Sequence, residues 1–556
     1  MPKRPQPPKL AALERAIAMI SPAWAAKREA SRGMMALSGG YTGATYNERL
    51  ANWSPGIRDA DSDIAWGLRE LRSRSSDLIR NSPIAAGAIE TQVSHIVGTG
   101  LSLQSRIDAE ALGMDDDAAA AWQSETERAF ELWCDSEFAD AHGRLCFHEL
   151  QDLAFRSHLE RGDSFVLLAS VNRPGWPYQL ALQVIEADLV SNPHWGADTA
   201  DMVQGIERDA SGSPVAVHVS SRHPGAMIQR VADVTWRRIP IRGASGRRNV
   251  LHLMRHLRPN QSRGVPCLAP IIEPLKQLTR YSQAEVDAAV NSAALALFAK
   301  MDPDTFLEVF DDNGRSKYLN QAQQWDGTLR SGAVVNLLPG EEISNPIQNR
   351  PNPNFDPFVQ AMLKQVGIGL NIPYEVLLKH FSSSYSAARA ALLDAWRTFK
   401  IRRTWLAGKL CQPVYEEWLA DAVASGRIIA PGFFGDPLVR AAWCGAQWIG
   451  DGPGAINPRD EAEAAKVRME IGLTTLAEEI QAYDGGDWEK KHVQQAREHD
   501  ERVEAGLAAP LMAPMQPGAG GTMPADAPDK PGQQDTDPNE APESVITPAR
   551  GTPGAA

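Results

Sequence analysis

Cysteine is scarce in this chain, with five residues in 556, at positions 134, 146, 267, 411 and 444. No two of them stand in a Cys-x-x-Cys spacing, which excludes a zinc knuckle and gives no disulfide framework, so free and buried thiols are expected. Long apolar runs are missing as well. The most apolar stretch, AAVNSAALALFA at 288–299, is interrupted by Asn291 and Ser292 and bounded by Asp287 and Lys300, too short and too polar to cross a bilayer. The opening MPKRPQPPKLAALERA is charged and proline-rich with no apolar core, so no secretory signal and a cytoplasmic origin are expected. Positive charge is in deficit: 56 Lys and Arg against 69 Asp and Glu leave a formal charge of −13. Tight gripping of nucleic acid is thereby disfavoured, because neutralised phosphates supply that affinity. DNA passing close to the chain is not excluded.

Catalytic and cofactor motifs fail on inspection. VGTGLS at 97–102 lacks the Gly-Lys-Ser/Thr ending of a phosphate loop, and GDGPGA at 450–455 shows no clear strand before it in the sequence and does not match dinucleotide spacing. RGDS at 161–164 sits where a helix gives way to a strand and is read as a capping turn. FHELQ at 147–151 is followed by Asp152 where a zinc protease needs its second histidine, so a solvated helix start is expected. VFDDNG at 309–314 resembles a calcium loop but has Val309 and Asn320 at its first and twelfth positions, which leaves a hairpin turn. No metal, cofactor or catalytic residue is assigned. Two basic clusters, Arg237, Arg238, Arg242, Arg247 and Arg248, then Arg397, Lys400, Arg402 and Arg403, are read first as solvated faces and second as subunit or phosphate contacts.

What the chain does carry is a core: 43% of its residues are hydrophobic, with 15 Trp, enough for two to four domains. Helical spacing over 59–100 is broken by Pro83, and further helices are predicted at about 115–135 and from 147 to Gly162. DSFVLLASV, YQLALQVIEADLV and NVLHLMRHL read as strands, and GIERDASGSPVAVHVS as a hairpin turning at Asp209 to Gly212. The class is α+β, without the βαβ alternation of a dinucleotide fold. A long helix is predicted from 268 to about 299 with Ile271, Leu275, Leu278, Val286, Val290 and Leu297 on one side. Residues 301–352 then hold two β-prone pieces with a polar turn each. Asp356 and Pro357 are read as cap and first residue of the next helix, which leads to HFSSSYSAARAA at 380–391. After that serine-rich loop a helix of about three dozen residues is expected to kink at Pro413. A helical module covers 457–505, with a capping box from Thr475 to Glu478, and the Pro/Gly/Ala-rich tail from 506 cannot bury enough apolar surface to fold alone.

Six stretches in order resemble the portal, or head-to-tail connector, proteins of lambda-like tailed bacteriophages. They are LRSRSSDLIRNSPIAAGAIETQVSHIVGTGLSLQ (71–104), QVIEADLV (183–190), GIERDASGSPVAVHV (205–219), GAVVNLLPGEEI (332–343), GLNIPYEVLLKHFSSSYSAARAALLDAW (369–396) and MEIGLTTLAEEIQAYDGGDWE (469–489). The resemblance implies a portal fold: a flexible arm (1–40), a mixed α/β wing (41–265 and 389–455), stem helices (266–300 and 353–378), a small clip (301–352), a tunnel loop (379–388), a helical crown (456–505) and a disordered tail (506–556). It implies that His380, Phe381, Ser382, Ser383, Ser384, Tyr385 and Ser386 face DNA in a central tunnel. Gly367 and Gly369 are expected to give the loop its hinge.

The function implied is a homo-oligomeric ring, a dodecamer, at one capsid vertex, through which double-stranded DNA enters and later leaves. Implied partners are the terminase large subunit, the major capsid protein and scaffold, head-completion and tail connector proteins, and non-specifically held duplex. No membrane is involved; the location is the virion vertex, and the host cytoplasm during assembly. Two competing readings are a minor capsid or head-tail adaptor protein without a tunnel, and a serine hydrolase using Ser164 or a serine among 382–384, for which no base and orienting acid are found.

Overall fold

A computed structural model describes residues 55–227, 233–293, 297–299, 311–323, 334–336, 352–380, 385–454 and 457–507, with positions 53, 304 and 308. The predicted N-terminal arm, most of the tail and the serines 382–384 lie outside the described residues.

The first elements are α1 (Ala60–Ala65), α2 (Leu68–Asn81) and α3 (Pro83–Ile96). Pro83 breaks the helical run as expected. Ser82 is extended and its side chain accepts from Ala85 N, so the proline starts a new helix at the position where its missing N–H costs nothing. β1 (Ser102–Ser105), α4 (Ala109–Leu112), α5 (Asp116–Cys134) and α6 (Phe147–Arg161) follow. Glu149, from the rejected zinc motif, instead accepts from Cys146 N at 2.9 Å and caps α6.

Next come β2 (Asp163–Ser170), β3 (Leu180–Ile185), β4 (Met202–Val203), β5 (Ile206–Arg208), β6 (Pro214–Ser220), β7 (Trp236–Pro240) and β8 (Val250–Met254). They form two antiparallel sheets, ordered β3-β2-β8 and β4-β5-β6-β7. The two-residue period of β2 places Val166 and Leu168 in the main core, with Leu182, Leu251 and Leu253, and Phe165 and Leu167 in a smaller second core with Ile185, Val217 and Val250. β2 is therefore buried on both faces, which is why it reads as a continuous apolar run rather than an alternation.

The remaining elements are α7 (Ile272–Ala293), β9 (Leu297–Ala299), α8 (Asp312–Gln323), β10 (Val334–Asn336), α9 (Phe355–Leu370), α10 (Tyr374–Leu378), α11 (Tyr385–Leu406), α12 (Gln412–Ala424), α13 (Pro437–Trp443), β11 (Ala446–Ile449), α14 (Pro458–Glu470), α15 (Leu476–Tyr483) and α16 (Trp488–Glu504). The chain divides into two compact units at Lys491 and His492.

Several expectations are corrected in detail. The long helix ends at Ala293, and 297–299 is a strand paired in parallel with 334–336. DDNG is no hairpin turn: Asp311 accepts from Gly314 N at 2.8 Å and starts α8, the local hydrogen bond of an N-cap winning over the turn reading. The cap of α9 is Asn354, two residues earlier than expected, and Asp356 accepts from Gln360 instead. The pairing of β1 with β11, between residues some 340 positions apart, has no local signal and was not foreseen. Near Pro413, where a kink is expected, the helical run carries a π-helical turn, Ala407–Cys411, between α11 and α12. The capping box of α15 forms as read, with Thr475 and Glu478 bonding reciprocally.

The centre of the main core is aromatic. Phe130 lies among Trp133, Phe147, Tyr415, Trp418 and Trp448 with ring centroids 4.9 to 6.1 Å away, which ties α5, α6, α12 and β11 together. All five cysteines are free, and Cys134, Cys411 and Cys444 are buried. No helix of the described residues is long and apolar enough to cross a membrane.

Candidate functional site

The segment that the sequence singles out begins where α9 stops. Asn371 takes the left-handed conformation (φ 55°) and its N–H caps the helix on Gly367 and Ile368 carbonyls. Gly367 and Gly369, read as a hinge, are both inside α9 and both close-packed. A Cβ on Gly367 would stand 2.7 Å from the Ile372 carbonyl oxygen, and one on Gly369 would stand 2.5 Å from Ile271 Cγ2. Their missing side chains thus let α9 fold back on its own C-terminal turn and approach the start of α7.

After Pro373 the short helix α10 buries Val376 and Leu377 against the core, in contact with α3 and α11. Lys379 then turns left-handed (φ 54°), and His380 N donates to the Glu375 carbonyl at 3.1 Å. Lys379 and His380 are exposed. Phe381 to Ser384 are not described, and Tyr385 opens α11, with Ser386 exposed. On one side of the segment α10 is buried at Val376 and Leu377, and on the other the first turns of α11 are largely exposed, its first buried described residue being Ala395.

The anchorage of α11 is a contact with α3. Ala395 and Phe399 are buried, and Phe399 stacks on His95. Arg403 donates to His95 O (2.9 Å), Ile96 O (3.0 Å) and Asp451 O (2.8 Å), satisfying last-turn carbonyls of α3 where the helix dipole favours a cation. Arg402 donates to the Gln92 side chain, and burial lowers its pKa. Two of the four cations in the second basic cluster are therefore committed within the chain. Arg397 and Lys400 are exposed on the other side of α11. The distinction is legible in helical phase, since Arg402 and Arg403 fall three and four residues after Phe399 and share its buried side. Lys379, beside His95, was not singled out by sequence. Burial holds the His95 imidazole below its ordinary pKa, with Lys379 and Arg403 adding to the effect.

Four of the five arginines in the first basic cluster are likewise tied within the chain, while Arg237 is exposed. Arg238 grips Glu207 through two bonds of 2.7 and 2.8 Å, Arg248 pairs with Glu416, Arg247 approaches Glu417 at 3.8 Å, and Arg242 donates to the Gly246 carbonyl.

Ser164, the serine weighed as a nucleophile, is buried on β2, and its hydroxyl finds no hydrogen-bond partner among the described residues. The acid and histidine nearest in sequence and register, Asp163 and His252, lie on the opposite face of the sheet, where His252 stacks on Phe165. Asp163 accepts from Arg72 (2.8 Å), Arg263 (2.7 Å), Gly264 N (3.1 Å) and His252 (3.3 Å). Burial alone would raise its pKa, but Arg263 and Arg72 outweigh it and hold the carboxyl well below the usual range. This is a charge knot that fastens α2 to the sheet, and it points away from Ser164. No group of three or more His, Cys, Asp or Glu is placed to hold a metal among the described residues.

Residues 46–403 match the family described as phage portal protein, lambda family. The chain belongs to that family. Among curated portal relatives, the portal protein of Escherichia phage N15 is 26% identical over 490 residues, covering 85% of this chain and 91% of the relative. Portal protein B of Escherichia phage lambda is 25% identical with the same coverage. The probable portal protein of Halomonas phage phiHAP-1 is 25% identical over 441 residues, 77% of this chain and 80% of the relative. Of solved structures, a chain from the neck of a native gene transfer agent particle, computed with C12 symmetry, aligns at TM-score 0.36 and 13% identity, covering 73% of this chain and 91% of that one.

Proposed function

We propose that the chain, as a phage portal protein, is the subunit of a ring at one capsid vertex, through which a motor drives duplex DNA inward and by which the DNA later leaves. The carrying observation is the portal-family match over residues 46–403, extended by portal-named relatives that align with 85% of the chain. Twelve copies are proposed from the resemblance described above, with the terminase large subunit, capsid and scaffold, and head-completion or tail proteins as partners. The protein is structural and belongs to the virion; assembly in the host cytoplasm is part of the proposal.

Within this reading α1 to β8 and α11 to β11 form the wing, α7 and α9 the stem, 301–352 the clip and α14 to α16 the crown. The link from Lys379 to Ser386 faces the tunnel. Supporting this are the exposure of Lys379 and His380 at a link rooted in α10, and the short hydroxyls that follow. A conduit must let duplex slide, and each phosphate neutralised adds affinity and hence friction. Hydroxyls on a chain of net charge −13 give weak, sequence-blind contact. Ring contacts are assigned to the outer half of α7, where Val286 and Val290 are 56% and 62% exposed although they continue the apolar side of Ile271, Leu275 and Leu278.

Negative-stain electron microscopy of the full-length protein, with native mass to count subunits, tests the proposal. Rings with a central hole are expected. A uniform monomer or dimer that persists with scaffold and capsid protein present would overturn it.

A further inference from the structure

An apolar furrow of about 490 Å³ runs between α11 on one side and α14 and α15 on the other. Leu393, Trp396, Met469, Leu476, Ile480 and Tyr483 line it, and Leu393, Leu476 and Tyr483 remain 54%, 48% and 50% exposed. Surfaces of this kind are seldom left open, because apolar area removed from water contributes roughly 25 cal/mol per Å². Its shape suits a helix. The walls are themselves helices, and α14 presents the small residues Ala462 and Ala465 to the furrow, which lets a fourth helix approach closely. The rim charges are already matched: Arg468 holds Glu479 through bonds of 2.8 and 2.7 Å, and Arg389 stands 3.9 Å from Glu461. An occupant gains by its apolar face and not by its charge, which argues against a nucleic acid or a strongly charged peptide.

We infer that the furrow seats this chain's own N-terminal segment, residues 9–20, as an amphipathic helix. The segment KLAALERAIAMI places Leu10, Leu13, Ile17 and Ile20 at i, i+3, i+7 and i+10, the spacing of a helix laid in a groove. Lys9 and Glu14 fall at the edges of that stripe and Arg15 opposite it, and Pro8 and Pro22 bound the segment. Twelve helical residues are ~18 Å long, comparable to the 13 residues of α14. A helix of this length is marginal in water unless it is packed, so the segment needs a seat as the furrow needs an occupant. Reach does not limit it. The stretch from Ile20 to Arg58, whose carbonyl is held by Arg258 at 2.9 Å, can extend well over ~100 Å. Tethering raises the segment's effective concentration to about the millimolar range, which favours it over another protein arriving in solution. The inference is independent of ring formation.

The test is a cysteine pair, Ile17→Cys with Leu393→Cys, in the full-length chain under mild oxidation, read by mass after proteolysis. An intrachain disulfide is expected, absent from either single variant and abolished when Leu13→Asp is added. As a second readout, backbone hydrogen exchange in α14 and α15 is expected to quicken by about tenfold or more when residues 1–24 are removed. No crosslink together with unchanged exchange would overturn the inference. A crosslink formed only between chains would overturn the own-chain seat, and protection acquired only on adding a scaffold or capsid protein would give the furrow to that partner.

Discussion

The ring of Phe399 lies flat on the imidazole of His95, with centroids 5.0 Å apart and planes 5° from parallel. This contact joins the helix that follows the proposed tunnel link to the C-terminal turn of α3, and Arg403 completes it by bonding the carbonyls of His95 and Ile96. The later turns of α11 are thus braced against α3 by a few identifiable side chains.

Removing the brace is costly. Phe399→Ala is expected to destabilise the protein by roughly 3–5 kcal/mol, as for other buried aromatic truncations. Arg403→Met should cost less, about 1–3 kcal/mol, by leaving last-turn carbonyls without their charged donor. Urea denaturation of the purified variants measures both, and an unchanged midpoint for Phe399→Ala would show that α11 is held by other contacts.

Stability should fall as the solution is acidified below neutrality, and His158 is one cause. Its ring is half-buried beside Trp405, at 4.7 Å between centroids, and Nδ1 lies 3.0 Å from the Gly162 carbonyl oxygen. Burial, reinforced by Arg402, lowers its pKa from 6.5 to about 4. Because the folded-state value lies below the unfolded one, the stabilisation is complete above pH 6.5 and is lost as pH falls from 6.5 toward 4, on the order of 3 kcal/mol in all. His158→Gln should flatten the stability profile over that window; a profile as steep as that of the parent chain would assign the effect to other groups.

The two glycines of α9 should differ in their tolerance of a methyl group. At Gly367 the obstacle is the Ile372 backbone oxygen, so Gly367→Ala is expected to cost roughly 1–3 kcal/mol. At Gly369 the obstacle is one γ-methyl of Ile271 and not backbone, and the loss should be smaller. Thermal melts of the pair decide it, and equal tolerance would return both positions to the hinge reading.

Charging the outer half of α7 separates assembly from folding. Val286→Asp with Val290→Asp should leave the subunit's melting temperature within a few degrees, since both sites are exposed, while rings give way to monomers in native mass spectra. Rings that survive intact would remove this face from the subunit contact.

Replacing Ser382, Ser383 and Ser384 with lysines should leave rings intact and slow DNA packaging, most strongly at low salt where phosphate contacts are least screened. Packaging at the parent rate would take the segment out of the tunnel.

Much of the secondary structure was legible because it depends on neighbours in the chain. The Pro83 break, the Thr475–Glu478 box and the turn after Asp209 all form where sequence placed them. Local chemistry misled at Asp311, where a helix cap and a hairpin turn ask for the same residues. Helical phase could have divided Arg402 and Arg403 from Arg397 and Lys400, but only if the buried side of α11 were already known.

By itself the sequence determined the α+β class, the order of most helices and strands and, through its ordered resemblance, membership in the portal family. Tertiary structure decided which like residues differ: Arg403 caps α3 while Lys400 faces solvent, β1 pairs with β11 across the length of the chain, and Ser164 is separated from Asp163 and His252 by the sheet itself. The physical reason is that burial and long-range pairing depend on what the rest of the chain brings alongside, whereas periodicity and capping are settled within a few residues.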